Sequence, residues 1–473
     1  MLSTTRIFLL ALFYVSATGA TLSEQDVVFT ALENNSDIRI ARLETRTDSL
    51  TLEKLQTQQL PSVNATLRQQ VKPYDSTLTS GSNTPSVSTG VTVSALQNVP
   101  GGGTVTADIA GERTGMTDGD SVQYTSSLAL TYTQPLLRNA WKHDPVAYTI
   151  KIQRLDNKTF TLRRKKKILA SLSDVRNRYW TFYEKQSLCT IFADRKQYAE
   201  KRLTTQRTRF SIGTATMLDT LSAHLAFLEA TRQLLIAQTE AALAHRALAV
   251  ALALSPDSVT IDSVKHIQLT GLPEPDDFLR LVESFDPQIQ LFETLNEKLR
   301  RQAAYAANQL LPDVALEAGY SRVASGDDIF DASGSFSGNA VFALIVRYAL
   351  PVKSRRIERQ QAGIALKSNN IAREQYMREM VKKVEELNLT WEQELQTLAI
   401  EKTSQEIARR QFDAAKAGFD LGTVDQLTLD KAEDDYLETT IRYLQKQVVM
   451  KKLEIIFEEI TGKVLSRFGV KLE

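Results

Sequence analysis

Cysteine is nearly missing: Cys189 stands alone among 473 residues. One thiol excludes an intrachain disulfide and a multi-cysteine metal site, and on a helical stretch it reads as an inert packing group. Histidine is as thin. His143, His224, His245 and His266 are scattered with no second ligand at useful spacing, so no metal role is expected. Charge of one sign is missing too. The 57 Lys and Arg balance 56 Asp and Glu to +1, without the basic excess of a nucleic-acid binder. The run Arg163-Arg164-Lys165-Lys166-Lys167 reads as a solvated helix face. No phosphate loop, dinucleotide fingerprint or nucleophile motif occurs. Asp434 and Asp435 are adjacent on a helix and diverge, which makes a poor acid–base pair. The expectation is therefore no enzyme and no cofactor.

Long apolar runs are missing after the N-terminus. There, Arg6, the stretch 7–15 and the small residues 16–20 read as a secretory signal, residues 1–20, with cleavage expected after Ala20 and Gly19 as the alternative site. The run is too short to span a bilayer, which takes roughly 20 residues. No cysteine stands at the cleavage region, so no lipoprotein attachment is expected. The mature chain is then periplasmic or an outer-membrane barrel, whose strands hydropathy shows poorly.

Proline is missing between Pro145 and Pro256, where Gly213 is the sole glycine, and again after Pro351. These stretches are rich in helix formers and predict long helices over 144–213 and 354–422. At about 1.5 Å per residue each reaches on the order of 100 Å. Ile168, Leu172, Val175, Tyr179 and Phe182 step by four and three, as do Val384, Leu387, Trp391, Leu395 and Leu398 with small departures. That is the period of a coiled-coil seam.

What is present is present twice. Leu60-Pro61-Ser62-Val63 matches Leu311-Pro312-Asp313-Val314 at an offset of 251, as Ser36-Asp37-Ile38 matches Pro287-Gln288-Ile289. Tyr132-Thr133-Gln134-Pro135 matches Tyr348-Ala349-Leu350-Pro351 at 216, and Gly213-Thr214 matches Gly422-Thr423 at 209. The order is kept, so one unit has been copied, with extra residues in the strand region of the first copy. The expected division is a first repeat 21–254, an equatorial linker 255–280, a second repeat 281–455 and a C-terminal segment 456–473.

Each repeat carries alternating segments. Val122, Tyr124, Leu128, Leu130 and Tyr132 interleave with Gln123, Thr125, Ser127, Thr131 and Thr133; Val63, Ala65 and Leu67 interleave with Asn64, Thr66 and Arg68. Val314, Leu316 and Tyr320, and Phe342, Leu344, Val346 and Tyr348, repeat the pattern in the second copy. One apolar and one polar face over about ten residues fits a membrane barrel strand with a wet lumen. A half-buried soluble sheet is the alternative. The Ser-, Thr- and Gly-rich stretch 73–120 reads as an outer loop holding a hairpin, with strand-like segments 90–96 and 104–110 flanking the turn Pro100-Gly101-Gly102-Gly103; whether this extra hairpin joins the barrel wall is open at this point. Two spanning strands per repeat give about four per chain. Four leave two open edges in lipid, and closed barrels begin at about eight, so several chains must pool strands.

At this point the chain resembles the TolC-type outer membrane efflux proteins along essentially its mature length. The residues that carry the likeness are Ala31-Leu32-Glu33-Asn34-Asn35, Gln134-Pro135-Leu136-Leu137, both Gly-Thr turns, Leu218-Asp219, Leu427, Ala223, Ala432 and Gly462. The resemblance implies a mainly α fold with a β-barrel portion: a duplicated helix–hairpin–long helix unit forming a shared trimeric, 12-stranded barrel and a long periplasmic coiled-coil tunnel. It implies a homotrimer held in outer-membrane lipid, a periplasmic adaptor (membrane fusion protein) and an inner-membrane transporter. It places an adaptor-docking tip at Phe210, Gly213, Thr214, Phe419, Gly422 and Thr423. Gly relieves the backbone at each reversal, and Thr214 and Thr423 are expected to cap the returning helix.

The resemblance also points to a periplasmic gate, where this sequence departs from the family. The positions of the family's constricting carboxylates hold Thr428 and Lys431, with Asp425 and Asp430 nearby. The outer-coil Asp219 of the closing tie is present, but its partner positions hold Phe419 and Val424. A weaker or differently built lock is expected, or ordinary solvated helix charges. The function implied is passive export, completing a tripartite pump or a type I secretion system. The alternative is a soluble periplasmic coiled-coil scaffold or adaptor.

Overall fold

The structure, a computed structural model, describes residues 21–72, 86–116, 122–256, 259–261, 267, 269, 271–328, 337–348, 350 and 352–468. The expected signal peptide, His266, Pro351, parts of the outer-loop stretch 73–120 and residues 329–336 lie outside them.

In chain order the elements are β1 (Thr21–Leu22), α1 (Glu24–Asn34), α2 (Ser36–Gln56), β2 (Ser62–Lys72), β3 (Ser86–Val99), β4 (Gly103–Met116), β5 (Val122–Pro135), α3 (Pro145–Ser211) and α4 (Met217–Leu252). Then come β6 (Thr260–Ile261), α5 (Pro275–Phe285), α6 (Pro287–Asn308), β7 (Asp313–Gly326), β8 (Ser337–Arg347), α7 (Lys353–Asp420), α8 (Gln426–Thr461) and α9 (Lys463–Arg467). They form two compact units that both draw on both repeats.

Among the described residues the first unit, 21–43, 163–289 and 376–468, is helical apart from the short parallel pair of β1 and β6. The two long proline-free stretches are α3 and α7, of 67 and 68 residues. α3 starts as the sequence dictates: Pro145 needs no amide partner at the first helical position, and Asp144 Oδ1 accepts from Val146 N at 2.9 Å. The seam residues Ile168, Leu172, Val175, Tyr179 and Phe182 are all buried, against Val27, Val28 and Ala31 of α1, Leu248 and Leu252 of α4, and Val448 and Ile455 of α8. A second core gathers Phe278 and Val282 of α5, Val384 and Leu387 of α7, and Phe457 of α8. The duplication holds at the caps too. Asn35 Oδ1 accepts from Asp37 N at 2.9 Å, and Asp286 Oδ1, 251 residues on, accepts from Gln288 N at 2.7 Å.

A buried charge network fastens the ends of this unit. Arg176, 1% exposed, reaches Glu24 and Glu458 at 2.6 Å each. Arg467 also pairs with Glu458, and Lys451 lies 2.7 Å from Glu454. Four elements, α1, α3, α8 and α9, are thereby tied by side chains that the hydrophobic pattern does not reveal.

The second unit, residues 44–162 and 290–375, carries the sheet. Here the sequence expectation needs correction. The chain supplies six strands to one antiparallel sheet, in the order β2-β3-β4-β5-β7-β8, where four were expected. The stretch read as an outer loop holds β3 and β4, with only 73–85 and 117–121 outside the described residues. The glycine turn is a hairpin turn as read, and it is tightly built. Gly101 and Gly102 have φ of +98° and +83°, and a Cβ on Gly102 would lie 2.2 Å from the Asn139 carbonyl oxygen. Trp141 N donates to Gly101 O at 2.9 Å and Gln134 Nε2 does so at 3.1 Å, which anchors the turn to the connection leaving β5.

Alternate residues share a sheet face, and the registers extend each face across all six strands. Val63, Ala95, Ala107, Leu130, Tyr320 and Ala340 form one row. Ser94 follows the opposite face, in the row Asn64, Ser94, Asp108, Ala129, Ser321 and Asn339. Apolar side chains stand exposed on the first face, Phe342 at 82% and Leu67 at 73%. Arg322, toward the loop end of β7, interrupts it.

Candidate functional site

The two helix reversals at the expected tip are built alike. Each long helix ends in a Schellman turn. Thr214 N donates to Arg209 O at 2.8 Å and Gly213 N to Phe210 O at 3.0 Å; Thr423 N donates to Gly418 O at 2.8 Å and Gly422 N to Phe419 O at 3.0 Å. Gly213 and Gly422 occupy the left-handed position at φ +74° and +78°, where a Cβ would meet no neighbour within 4 Å. Glycine is needed here for its backbone freedom alone.

The threonines behind them do not cap the returning helices. Thr214 Oγ1 and Thr423 Oγ1 each donate at 3.0 Å to the carbonyl five residues back, closing the outgoing helix. The N-caps are Thr216 and Asp425, again 209 residues apart. Thr216 Oγ1 accepts from Asp219 N at 3.2 Å and Asp219 Oδ2 accepts from Thr216 N at 2.9 Å, a capping box. Asp425 Oδ1 accepts from Thr428 N at 3.1 Å. Donors from Thr216, and from Thr428, hold the Asp219 and Asp425 carboxyls below the usual carboxylate range. Both carboxylates thus have a local structural duty.

The turns are tied to each other through Arg209, whose guanidinium lies 5.1 Å from the centre of the Phe419 ring. Around them apolar side chains stand in the open: Leu421 at 80%, Leu427 at 76%, Leu218 at 71% and Ile212 at 68%. Phe210 is exposed as well.

Two arginines one heptad apart on α3 face three carboxylates on α8. Arg202 holds Asp430 with both guanidinium nitrogens, one at 2.7 Å, and stands 3.7 Å from Glu433. Arg195 reaches Asp434 at 2.5 Å. Asp430 also accepts from Gln426 at 2.7 Å. Since Arg202 is committed to Asp430, burial dominates at Glu433 and pushes its carboxyl up to about 7 against the pull of both arginines. Burial, with Glu433 beside it, pushes the Tyr198 hydroxyl up to about 12.

The folded chain thus keeps a proton on Glu433 that the unfolded chain, with an ordinary value of 4.5, has released. The Glu433 contribution to stability falls as pH rises from about 4.5 to about 7 and is level above that. The unfolding midpoint at pH 5.5 is expected above that at pH 8, and Glu433→Gln is expected to flatten the difference. An unchanged slope in Glu433→Gln would assign the pH dependence to other groups.

Residues 280–455, which hold the whole of the second repeat, match the outer membrane efflux protein family. The whole chain matches solved structures by fold. A CusC crystal structure aligns at a TM-score of 0.69 and 13% identity, over 93% of this chain and 92% of that one. VceC of Vibrio cholerae aligns at 0.69 and 13%, over 93% and 96%, and the Campylobacter jejuni CmeC outer membrane channel at 0.67 and 11%, over 98% and 95%. No curated protein sequence matches. The resemblance read from the sequence holds: this is the fold of the TolC-type outer membrane efflux proteins.

Asp430 is engaged by Arg202 within one copy, and Thr428 supplies the amide that Asp425 caps. Lys431 is exposed and follows Asp430 on α8. The sequence reading missed Arg195, Arg202, Glu433 and Asp434. Their signal was available: Arg residues seven apart on one long helix, opposite acidic residues three and four apart on another. A constricting role for Asp425 is separable from capping. Asp425→Asn keeps the cap and removes the charge, whereas Asp425→Ala removes both. If Asp425 lines a constriction, both variants lose cation preference in bilayer recordings. Unchanged selectivity in both leaves Asp425 a cap only.

Proposed function

We propose that three copies of this chain form an outer-membrane export duct that docks a periplasmic adaptor and completes a tripartite pump or a type I secretion system. The observation that carries the reading is the sheet: one exposed apolar face, one polar face, and two edge strands, β2 and β8, each 11 residues long. In hydrocarbon each unpaired edge group costs several kcal/mol, so such a sheet is stable there only when closed by further copies. The aromatic Trp141 and Tyr348, both exposed just beyond the ends of β5 and β8, suit the lipid–water boundary.

The helical unit supports pooling independently. On α4, Leu218, Leu221, Leu225, Leu228 and Leu235 are all exposed at steps of three, four and seven. A leucine row at coiled-coil spacing left open in one copy fits a seam with the next. In this reading the signal occupies 1–20, the repeats 21–254 and 281–455 flank a linker at 255–280, and 456–473 closes the C-terminus. The tip residues Phe210, Gly213, Thr214, Phe419, Gly422 and Thr423 meet the adaptor, and an inner-membrane transporter supplies the energy. The similar structures OprN, CmeC of Campylobacter jejuni and MtrE of Neisseria gonorrhoeae are outer membrane channels. The exposed apolar sheet face sets this reading above a soluble periplasmic scaffold.

The test is conductance. Purified protein added to a planar bilayer is expected to give discrete current steps. Absence of any step from protein that remains assembled would contradict a duct.

A further inference from the structure

We propose that the barrel wall of this protein has eighteen strands, six from each of three copies, because the β3–β4 hairpin is an integral part of the membrane sheet. The proposal rests on the three-copy reading above and goes beyond the twelve strands that the resemblance implies.

Four observations place the hairpin in the wall. First, β3 and β4 are paired along their full lengths, with β2 on one side and β5 on the other, so removing them would break the sheet rather than trim an edge. Second, they continue both faces of the sheet. Val93 and Ile109 stand in the apolar row between Ala65 and Leu128, and Ser94 and Asp108 stand in the polar row between Asn64 and Ala129. Ile109 is exposed, as a lipid-facing side chain must be in a single copy. A surface flap would have no reason to keep this alternation in register over two further strands.

Third, the duplication accounts for the hairpin as an insertion. β2 corresponds to β7 at an offset of 251, whereas the end of β5 corresponds to the end of β8 region at 216. The difference is the 35 extra residues of the first repeat, and β3, its turn and β4 span 86–116. An inserted hairpin adds two strands, so β5 still runs antiparallel to β2 and the helices that follow keep their direction. Fourth, the turn is fixed at its base by Gly101 and by the close approach of Gly102 to Asn139.

Parity then governs closure. The strands alternate in direction from β2 to β8, so an even count leaves β8 antiparallel to the β2 of the next copy. Copies join edge to edge in the same ladder type, and the strand total is a multiple of six. With strands ~4.8 Å apart and tilted ~40°, eighteen strands give a wall ~36 Å across between backbones, against ~24 Å for twelve.

The experiment is electron cryo-microscopy of the full-length protein in lipid nanodiscs, viewed along the symmetry axis, with cysteine labelling beside it. Eighteen strands around a three-fold axis are expected. In a Cys189→Ser background, Asp108→Cys is expected to react readily with a water-soluble maleimide and Ile109→Cys to react at least tenfold more slowly. Three-fold particles with a twelve-stranded wall and equal labelling of both cysteines would overturn the hairpin's place while leaving the export duct standing. A twelve-stranded wall made by two copies would overturn the eighteen-strand count through the copy number. Particles with no membrane barrel would overturn the duct itself.

Discussion

Arg176→Met lowers the stability of the helical unit by about 3–5 kcal/mol, the range for breaking a buried ion pair from one side. Arg176 is 1% exposed and bridges Glu24 on α1 to Glu458 on α8, each at 2.6 Å. Removing it leaves Glu458 buried with Arg467 as its remaining partner, and removes the ion pair between α1 and α3. Met fills much of the volume, so the loss reports charge and hydrogen bonding rather than a cavity. Arg176→Lys keeps the charge without the two-sided fork and is expected to fall between wild type and Met. The measurement is the unfolding midpoint of the detergent-extracted protein, followed by far-ultraviolet circular dichroism. A midpoint for Arg176→Met within a degree of wild type would show that the network contributes nothing net.

Gly422→Leu abolishes export while leaving insertion and assembly intact. The residue sits at φ +78° with open space beyond, so a Leu folds there at about 1–2 kcal/mol of backbone strain and projects from the turn. Gly422→Ala carries similar strain and little bulk. If the tip must seat an adaptor, Ala retains most export and Leu loses it. If both lose export equally, strain in the turn is the cause. Normal export by Gly422→Leu would count against docking at this turn. The readout is cargo in the medium against the amount of assembled protein in the membrane.

Much of this fold is legible from residue spacing. The long helices follow from missing prolines, the reversals from single glycines, and the buried seam from Ile168 to Phe182 in steps of three and four. The cap was misplaced by two residues because Thr214 and Thr216 offer the same chemistry. Only the backbone shows that Thr214 still belongs to the outgoing helix. The hairpin of β3 and β4 was legible at its glycine turn, but its place in the sheet was left open and only about four strands were counted, because both strands are rich in Ser, Thr and Gly. Small polar residues facing a wet lumen look like loop in a sequence, and alternation over one hairpin is a weak signal. The Arg176 network was not legible at all. Its partners lie 152 and 282 residues away, and no local pattern marks a long-range ion pair. At the candidate gate, sequence likeness pointed to positions, whereas the pairing of Arg202 with Asp430 depends on two helices meeting in space.

The central claim is that this chain completes its sheet only with other copies, in the outer membrane. The most direct measurement is the location and assembled mass of the native protein after membrane fractionation and mild detergent extraction. The account predicts an outer-membrane species of three chains. A monomer in the soluble periplasmic fraction would contradict it and favour the scaffold instead.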